Sequence, residues 1–495
     1  MFCGNILVDA GRFGGAARCA CVTGDETGMV EASKSLTSVP AVLLPEVVRW
    51  LPSPLDIGRL DCISRLFHLG EPRSAIEEGL RLRAEAEGRE VVTALPAGEV
   101  SWSQWLMWEE RRLLARAKPV ASSGHYISAF VDAGGQLLTC GSGLEGVLGQ
   151  GVSVATSLVP RVVAGLGGVR ILAVAVGGMH TLACSDEGVA YSFGYGMEGR
   201  LGHGDEAVQH TPKVIEVLQG VCILALSAGA DHSLMVSETG ELYTFGHGDR
   251  GVLGHGDEAD QHTPRMVAAL QGVRVSAVAA GEYHSLALST AGEVYSFGQG
   301  DYGLLGHSDD VSQLTPLPIT GLQGVSVCGV AAGGLHSLVV STTGRLYSFG
   351  CRALGALGHG DQDDQMTPRL VEGLHGLRVL AVAAGKYHSL ALSEAGEVYS
   401  FGICEYGKLG HGDMERRFQL TPRVIAGLQG LHVRLVAAGR DTSFAVTADG
   451  AAYGWGPGGG DDWDPMGDQP DPVLGLQLTE DQLVPCIYPG MLLHA

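Results

Sequence analysis

The sequence predicts an all-β, seven-bladed β-propeller preceded by a small α-helical region, and three observations carry that prediction. Seven tandem units of about fifty residues run from Pro119 to near the C-terminus. Every complete unit holds four short strand patterns, the number that makes one blade. Glycine, at 75 of 495 residues, is about twice its usual share, and it falls at the turns between those patterns.

The clearest unit reads VRVSAVAAGEYHSLALSTAGEVYSFGQGDYGLLGHSDDVSQLTPLPI. Its four strands are the small-residue run Val278 to Gly281, then HSLALS, then EVYSFG, then a Thr-Pro-x-x-Val-type stretch. Small residues suit the crowded central axis of a closed ring. Leu286 and Leu288 alternate with Ser285 and Ala287, as a strand with two differently packed faces requires. Pro212, Pro264, Pro316, Pro368 and Pro422 belong on the outermost strand, because only an edge can spare a backbone donor. The residue after Gly-x-x reads His125, His180, His232, His284, His336, His388 and Thr442, at gaps of 55, 52, 52, 52, 52 and 54. The last unit takes its outer strand from Leu483-Val-Pro485.

Composition bounds the function. The chain is 45% hydrophobic and 17% charged, enough apolar material for a large core. No apolar run reaches the roughly 18 residues of a membrane span, and the first residues lack a basic segment followed by an apolar one, so a soluble cytoplasmic or nuclear protein with no membrane contact is expected. Eleven scattered cysteines, without a paired zinc spacing, read as reduced thiols. Residues 1–117 hold 13 Lys and Arg against 16 Asp and Glu; the remaining 378 residues hold 19 against 38, a net −19 of the total −22. That sign disfavours direct nucleic-acid binding and favours a basic protein partner.

Three motifs are weighed and set aside. Gly194-x-Gly196-x-x-Gly199 matches a dinucleotide fingerprint, but so do Gly246 to Gly251 and Gly298 to Gly303, and LGHGD rather than a helix follows each. The strand-start histidines and the loop series His203, His255, His307, His359 and His411 sit one per unit, too far apart to converge on one metal ion; each is expected to bond backbone within its own blade. The Gly-Asp-Glu/Asp loops read as turns rather than calcium loops. The Ser285 and His284 pair is repeated in several units and points to opposite strand faces, so no nucleophile, metal or cofactor is expected, and the chain is not read as an enzyme.

Function is expected where the units differ. Before the strand-start residue come Met179, Asp231, Tyr283, Leu335, Tyr387 and Asp441. After the third strand come Tyr195, Met197, Arg200, Asp249, Arg250, Asp301, Tyr302, Arg352, Glu405, Tyr406 and Lys408. In an up-and-down blade these two loops leave by the same rim, and Tyr, Arg and Met are enriched at protein interfaces. That face is the expected partner-binding surface.

At AAGxxHSLALSxxGEVYSFGxGxxGxLGHG the repeat resembles the RCC1 family, covering residues 118–490. Residues 1–38, rich in Gly, Ala, Ser and Thr, are expected to lack regular structure. Residues 39–70 resemble an F-box: Leu44-Pro45, Leu51, Asp56-Ile57, Leu60, Ile63 and Phe67 stand in its order. Residues 71–117, with a Ser74-x-x-Glu77 capping box and Trp102, Trp105 and Trp108, read as helices packing on the propeller. Together the resemblances imply a substrate receptor docking onto Skp1 in a cullin-type ubiquitin ligase. The family's founding member implies an alternative, nucleotide exchange on a small GTPase; a plain scaffold is the third reading. One plant branch senses ultraviolet light through tryptophans in Gly-Trp-Arg-His-Thr, whereas the slots here read Gly178-Met, Ala230-Asp, Glu282-Tyr, Gly334-Leu, Lys386-Tyr and Arg440-Asp, which excludes that photochemistry.

Overall fold

The computed structural model describes residues 6–9, 18–21, 34–35, 120–352, 355–412, 417–457 and 481–493. Two compact units divide the chain, Met1–Leu114 and Ala115–Ala495. In the first, Ile6–Asp9, Arg18–Cys21 and Lys34–Ser35 form an antiparallel sheet, although the composition of residues 1–38 led to an expectation of no regular structure. The Ile-Leu-Val run facing Ala20 and Cys21 is itself strand-forming sequence. The F-box-like segment 39–70 and the segment 71–117 lie outside the described residues.

Seven four-stranded antiparallel sheets make up the second unit. In blade 4 the strands are Val275–Ala280, His284–Ser289, Val294–Gly298 and Gln313–Pro318, paired in that order. Blade 1 begins at Val120–Ser123, and blade 7 is completed by Gln482–Leu492. Each blade is therefore built from consecutive strands, and the ring closes without strand exchange. At the seam the Phe130 and Phe444 rings meet edge-on at 5.5 Å with Tyr488 against both, a backbone bridge pairs Asp132 with Leu493, and the Arg440 N–H donates to the Gly124 carbonyl at 3.2 Å.

The core lies between blades. On the second strand of blade 4, Ala287 packs with Leu234 and Val236 of blade 3, while Leu288 packs with Val339 and Phe349 of blade 5. Both strand faces are buried, which is why this strand is apolar on both. Phe193, Phe245, Phe297, Phe349 and Phe401 fill one slot at successive junctions, and Trp455 takes it in blade 7, its indole N–H donating to the Lys408 carbonyl at 2.9 Å. The glycine of each LGHG turn lies under the next blade's ring: Gly254, at φ +75°, would put a Cβ 3.0 Å from Phe297. Gly272, at φ +85°, faces open space. Gly272→Ala is therefore expected to cost only the left-handed backbone term, about 1–2 kcal/mol, and Gly254→Ala about 1–3 kcal/mol more from overpacking. Denaturant unfolding of the two variants checks the difference; equal losses would remove the argument for tight blade contact.

Candidate functional site: the variable-loop face

Backbone bonds tie the two variable loops of a blade together. Tyr195 N–H donates to the Met179 carbonyl at 2.9 Å, His247 to Asp231 at 3.0 Å, Gln299 to Tyr283 at 2.9 Å, Cys351 to Leu335 at 2.9 Å and Ile403 to Tyr387 at 3.1 Å. Both loops thus share one face of the disc. Three-residue 3-10 turns, such as Asp301–Gly303, carry the second loop. Their middle residues, Glu198, Arg250, Tyr302 and Tyr406, sit at φ 57° to 61°, left-handed geometry that L side chains adopt at a cost. The glycine triplets are these turns, with no helix behind them to hold a pyrophosphate.

On this face Met197, Tyr283 and Tyr302 expose 40%, 45% and 49% of their surface. Asp249, Arg250, Asp301, Arg352 and Glu405 are also exposed, while Met179, Tyr195, Asp231, Leu335, Tyr387, Tyr406 and Asp441 are half-buried. Further along the same connection run acidic loops bearing Asp205, Glu206, Asp257, Glu258, Asp309 and Asp310, all exposed. Asp205, Asp257 and Asp309 each accept the backbone N–H two residues on, at 3.1 to 3.3 Å, which makes these loops Asx turns.

Two of the expected surface residues are not on the surface. Arg200 is 4% exposed and Lys408 1%. Arg200 donates to Asp231 of the next blade at 2.5 Å and to Glu198 at 2.6 Å; Lys408 bonds Asp441 of the next blade. Burial alone would raise the Asp441 carboxyl, but the Lys408 and Arg440 charges outweigh it and hold it below the usual range. Comparing repeats shows why the two columns vary together. Where one blade offers Val252, Leu304 or Ala356 at this position, the next answers with Tyr283, Leu335 or Tyr387; where it offers Arg200 or Lys408, the next answers with aspartate. Part of the variation on this face is junction matching, a signal visible only when the two columns are read as pairs.

The histidines also differ from expectation. His180, His232, His284, His336 and His388 reach not their own blade's backbone but the hydroxyls of Ser233, Ser285, Ser337, Ser389 and Ser443 in the next blade, at 2.8 to 3.0 Å. Each serine in turn donates to a carbonyl of the preceding blade, Ser285 to Val252 at 2.9 Å for instance, so the proton on the imidazole sits on Nε2. Burial pushes His232, His336 and His388 down to about 3 and His284 to about 4. These Ser-His pairs are closed to substrate. The loop histidines do stay within their blade, but bond a side chain: His203 to Ser192 and His307 to Ser296.

Blade 1 shifts register against the expected series. Ile127, not His125, faces Gly141, as His180 faces Gly194. A branched apolar residue in a histidine slot hid the alignment. At the seam, where Thr442 is too short to span the junction, Ser123 bridges it to Ser128, with contacts of 2.8 and 3.2 Å.

The displaced His125 lies instead at the mouth of the axial channel, a space of about 280 Å³ walled by the small residues of the first strands. Glu282 faces both His125, at 3.5 Å, and Lys386, at 3.2 Å, with Arg440 also at the mouth. Burial raises the Glu282 carboxyl, but the neighbouring His125 and the Lys386 charge leave it below its ordinary value. These charged positions were missed; their signal was the same Gly-x-x turn, one residue earlier.

A seven-bladed disc with paired variable loops on one face is a protein-interaction propeller. The chain belongs to the RCC1-like domain family, which matches residues 136–473. It is 35% identical over 324 residues to the ultraviolet-B receptor UVR8 of Arabidopsis thaliana, covering 64% of this chain and 72% of that one. It is 40% identical over 331 residues to the E3 ubiquitin-protein ligase HERC2 of Homo sapiens, covering 66% of this chain but 7% of that protein. Among solved structures, Prp20p from Saccharomyces cerevisiae, described with its binding properties to Gsp1p and histones, superposes with a TM-score of 0.63 at 25% identity over 76% of this chain and 88% of its own.

Proposed function

We propose that this chain is a non-enzymatic receptor that holds a basic protein on its variable-loop face and presents it, through residues 39–70, to a Skp1-type adaptor of a ubiquitin ligase. The observation that carries the first half is the arrangement of exposed Met197, Tyr283 and Tyr302 beside acidic loops on one face: aromatic anchors supply affinity, and acidic surroundings select a basic partner. Histones are the natural first probe, because the similar Prp20p is described with them. The F-box-like order of Leu44, Pro45, Leu51, Asp56, Ile57, Leu60, Ile63 and Phe67 supports the second half, as does a propeller relative within a ubiquitin ligase. Eleven scattered cysteines without a paired spacing are in keeping with a cytoplasmic or nuclear setting.

Titration of fluorescent core histones with the full chain is expected to saturate. A Met197→Ala/Tyr283→Ala/Tyr302→Ala variant is expected to bind at least tenfold more weakly with an unchanged melting temperature, since truncating interface anchors costs about 2 kcal/mol or more. Equal affinity would remove this face from recognition. Separately, Skp1 pull-down by the intact chain and its loss in a folded Leu44→Ala/Pro45→Ala/Ile57→Ala variant tests the ligase half. No capture by the intact chain would leave scaffold or exchange factor, which release of labelled GDP from small GTPases separates.

A further inference from the structure

The opposite face, where the second-to-third hairpins and the blade-to-blade connections emerge, carries a pocket of about 270 Å³ at the outer end of blade 5. Its walls include Arg345, His375 and Arg378 together with Leu370, Leu374 and Leu377. The other repeats show how unusual this is. Where blade 5 has Arg345, blades 3, 4 and 6 have Glu241, Glu293 and Glu397, whose carboxylates accept the hydroxyls of Tyr243, Tyr295 and Tyr399 at 3.0 to 3.1 Å. Where blade 5 has His375, the same blades have Gln271, Gln323 and Gln429.

Two neutral or acidic positions have thus become cationic or protonatable at one pocket, in a chain of net charge −22. Arg345 is exposed and has no carboxylate partner among the described residues. Arg378 is anchored, its stem against Gly344 and its guanidinium on Glu394 at 3.2 Å. Structural need does not explain Arg345, because blades with glutamate there form the same hairpin. A lining that mixes arginines with leucines fits an anionic side chain next to an apolar one.

We infer that this pocket binds an acidic, leucine-bearing peptide segment of a partner protein, with Arg345 and His375 meeting its carboxylate or phosphoryl group. The site lies on the face away from the variable loops, so it stands independently of the function proposed above. The probes are a fluorescein-labelled Glu-Leu-Glu-Glu-Leu peptide and its counterpart with phosphoserine for the first glutamate, titrated into the full chain by anisotropy. Saturable binding is expected for at least one, weakened about tenfold in an Arg345→Glu/His375→Gln variant, which only restores the residues of the sister blades and is expected to melt like the parent. Tighter binding of the phosphoserine peptide assigns a phosphoryl ligand, and of the glutamate peptide a carboxylate. Neither peptide saturating, or the variant binding as well as the parent, overturns the inference.

Discussion

Replacing Asp441 by leucine is expected to cost the propeller about 3 kcal/mol, because it leaves the Lys408 ammonium, 1% exposed, without its counter-charge. With an unfolding entropy of about 2 cal/mol/K per residue, that is a fall in melting temperature of roughly 4 °C. Adding Lys408→Leu is expected to return stability to within about 1 kcal/mol of the parent. The double variant recreates the Leu304 and Leu335 match that another junction already uses. Asp231→Leu, by contrast, is expected to cost only about 1 kcal/mol: Asp231 is half-exposed and Arg200 keeps Glu198. Calorimetry of the three variants decides the matter, and additive losses in the Lys408 and Asp441 double variant would contradict junction matching.

The second large effect is acid sensitivity. The five clasp histidines are neutral in the fold, with His232, His284, His336 and His388 at about 3 to 4 and His180 also well below its ordinary value. Unfolded, each would take a proton near pH 6.5. The unfolded state therefore binds more protons below that pH, so stability is full above about 6.5 and lost as pH falls towards the folded values. Each histidine contributes up to about 1.4 kcal/mol per pH unit. Five give roughly 7 kcal/mol by pH 5.5, comparable with the whole stability of an ordinary domain. The melting temperature is expected to drop steeply between pH 6.5 and 5, and His336→Ile, the residue blade 1 uses as Ile127, is expected to flatten that slope by one histidine's share. A melting temperature level down to pH 5 would show that these imidazoles do not stay neutral.

Several elements were legible in the chain alone because each is a local property repeated. The four strands of a blade follow from hydrophobic alternation and glycine turns within fifty residues, as Val275–Ala280 to Gln313–Pro318 illustrate. Pro316 sits on the outermost strand, where a missing donor is harmless. The late strand closing blade 7 could be read from Leu483-Val-Pro485. The variable-loop face followed from strand order.

What the chain did not disclose is whatever joins one repeat to the next. His284 and Ser337 stand 53 residues apart and meet only because the ring brings consecutive blades face to face. Arg200 and Lys408 look like loop cations until the neighbouring aspartates close over them. Ile127 occupies a histidine slot that residue type disguised and strand register revealed. A sequence repeat determines the blade, since its forces act within one hairpin stack; the tertiary structure decides the junctions, since burial and pairing there depend on two surfaces that the chain does not place side by side.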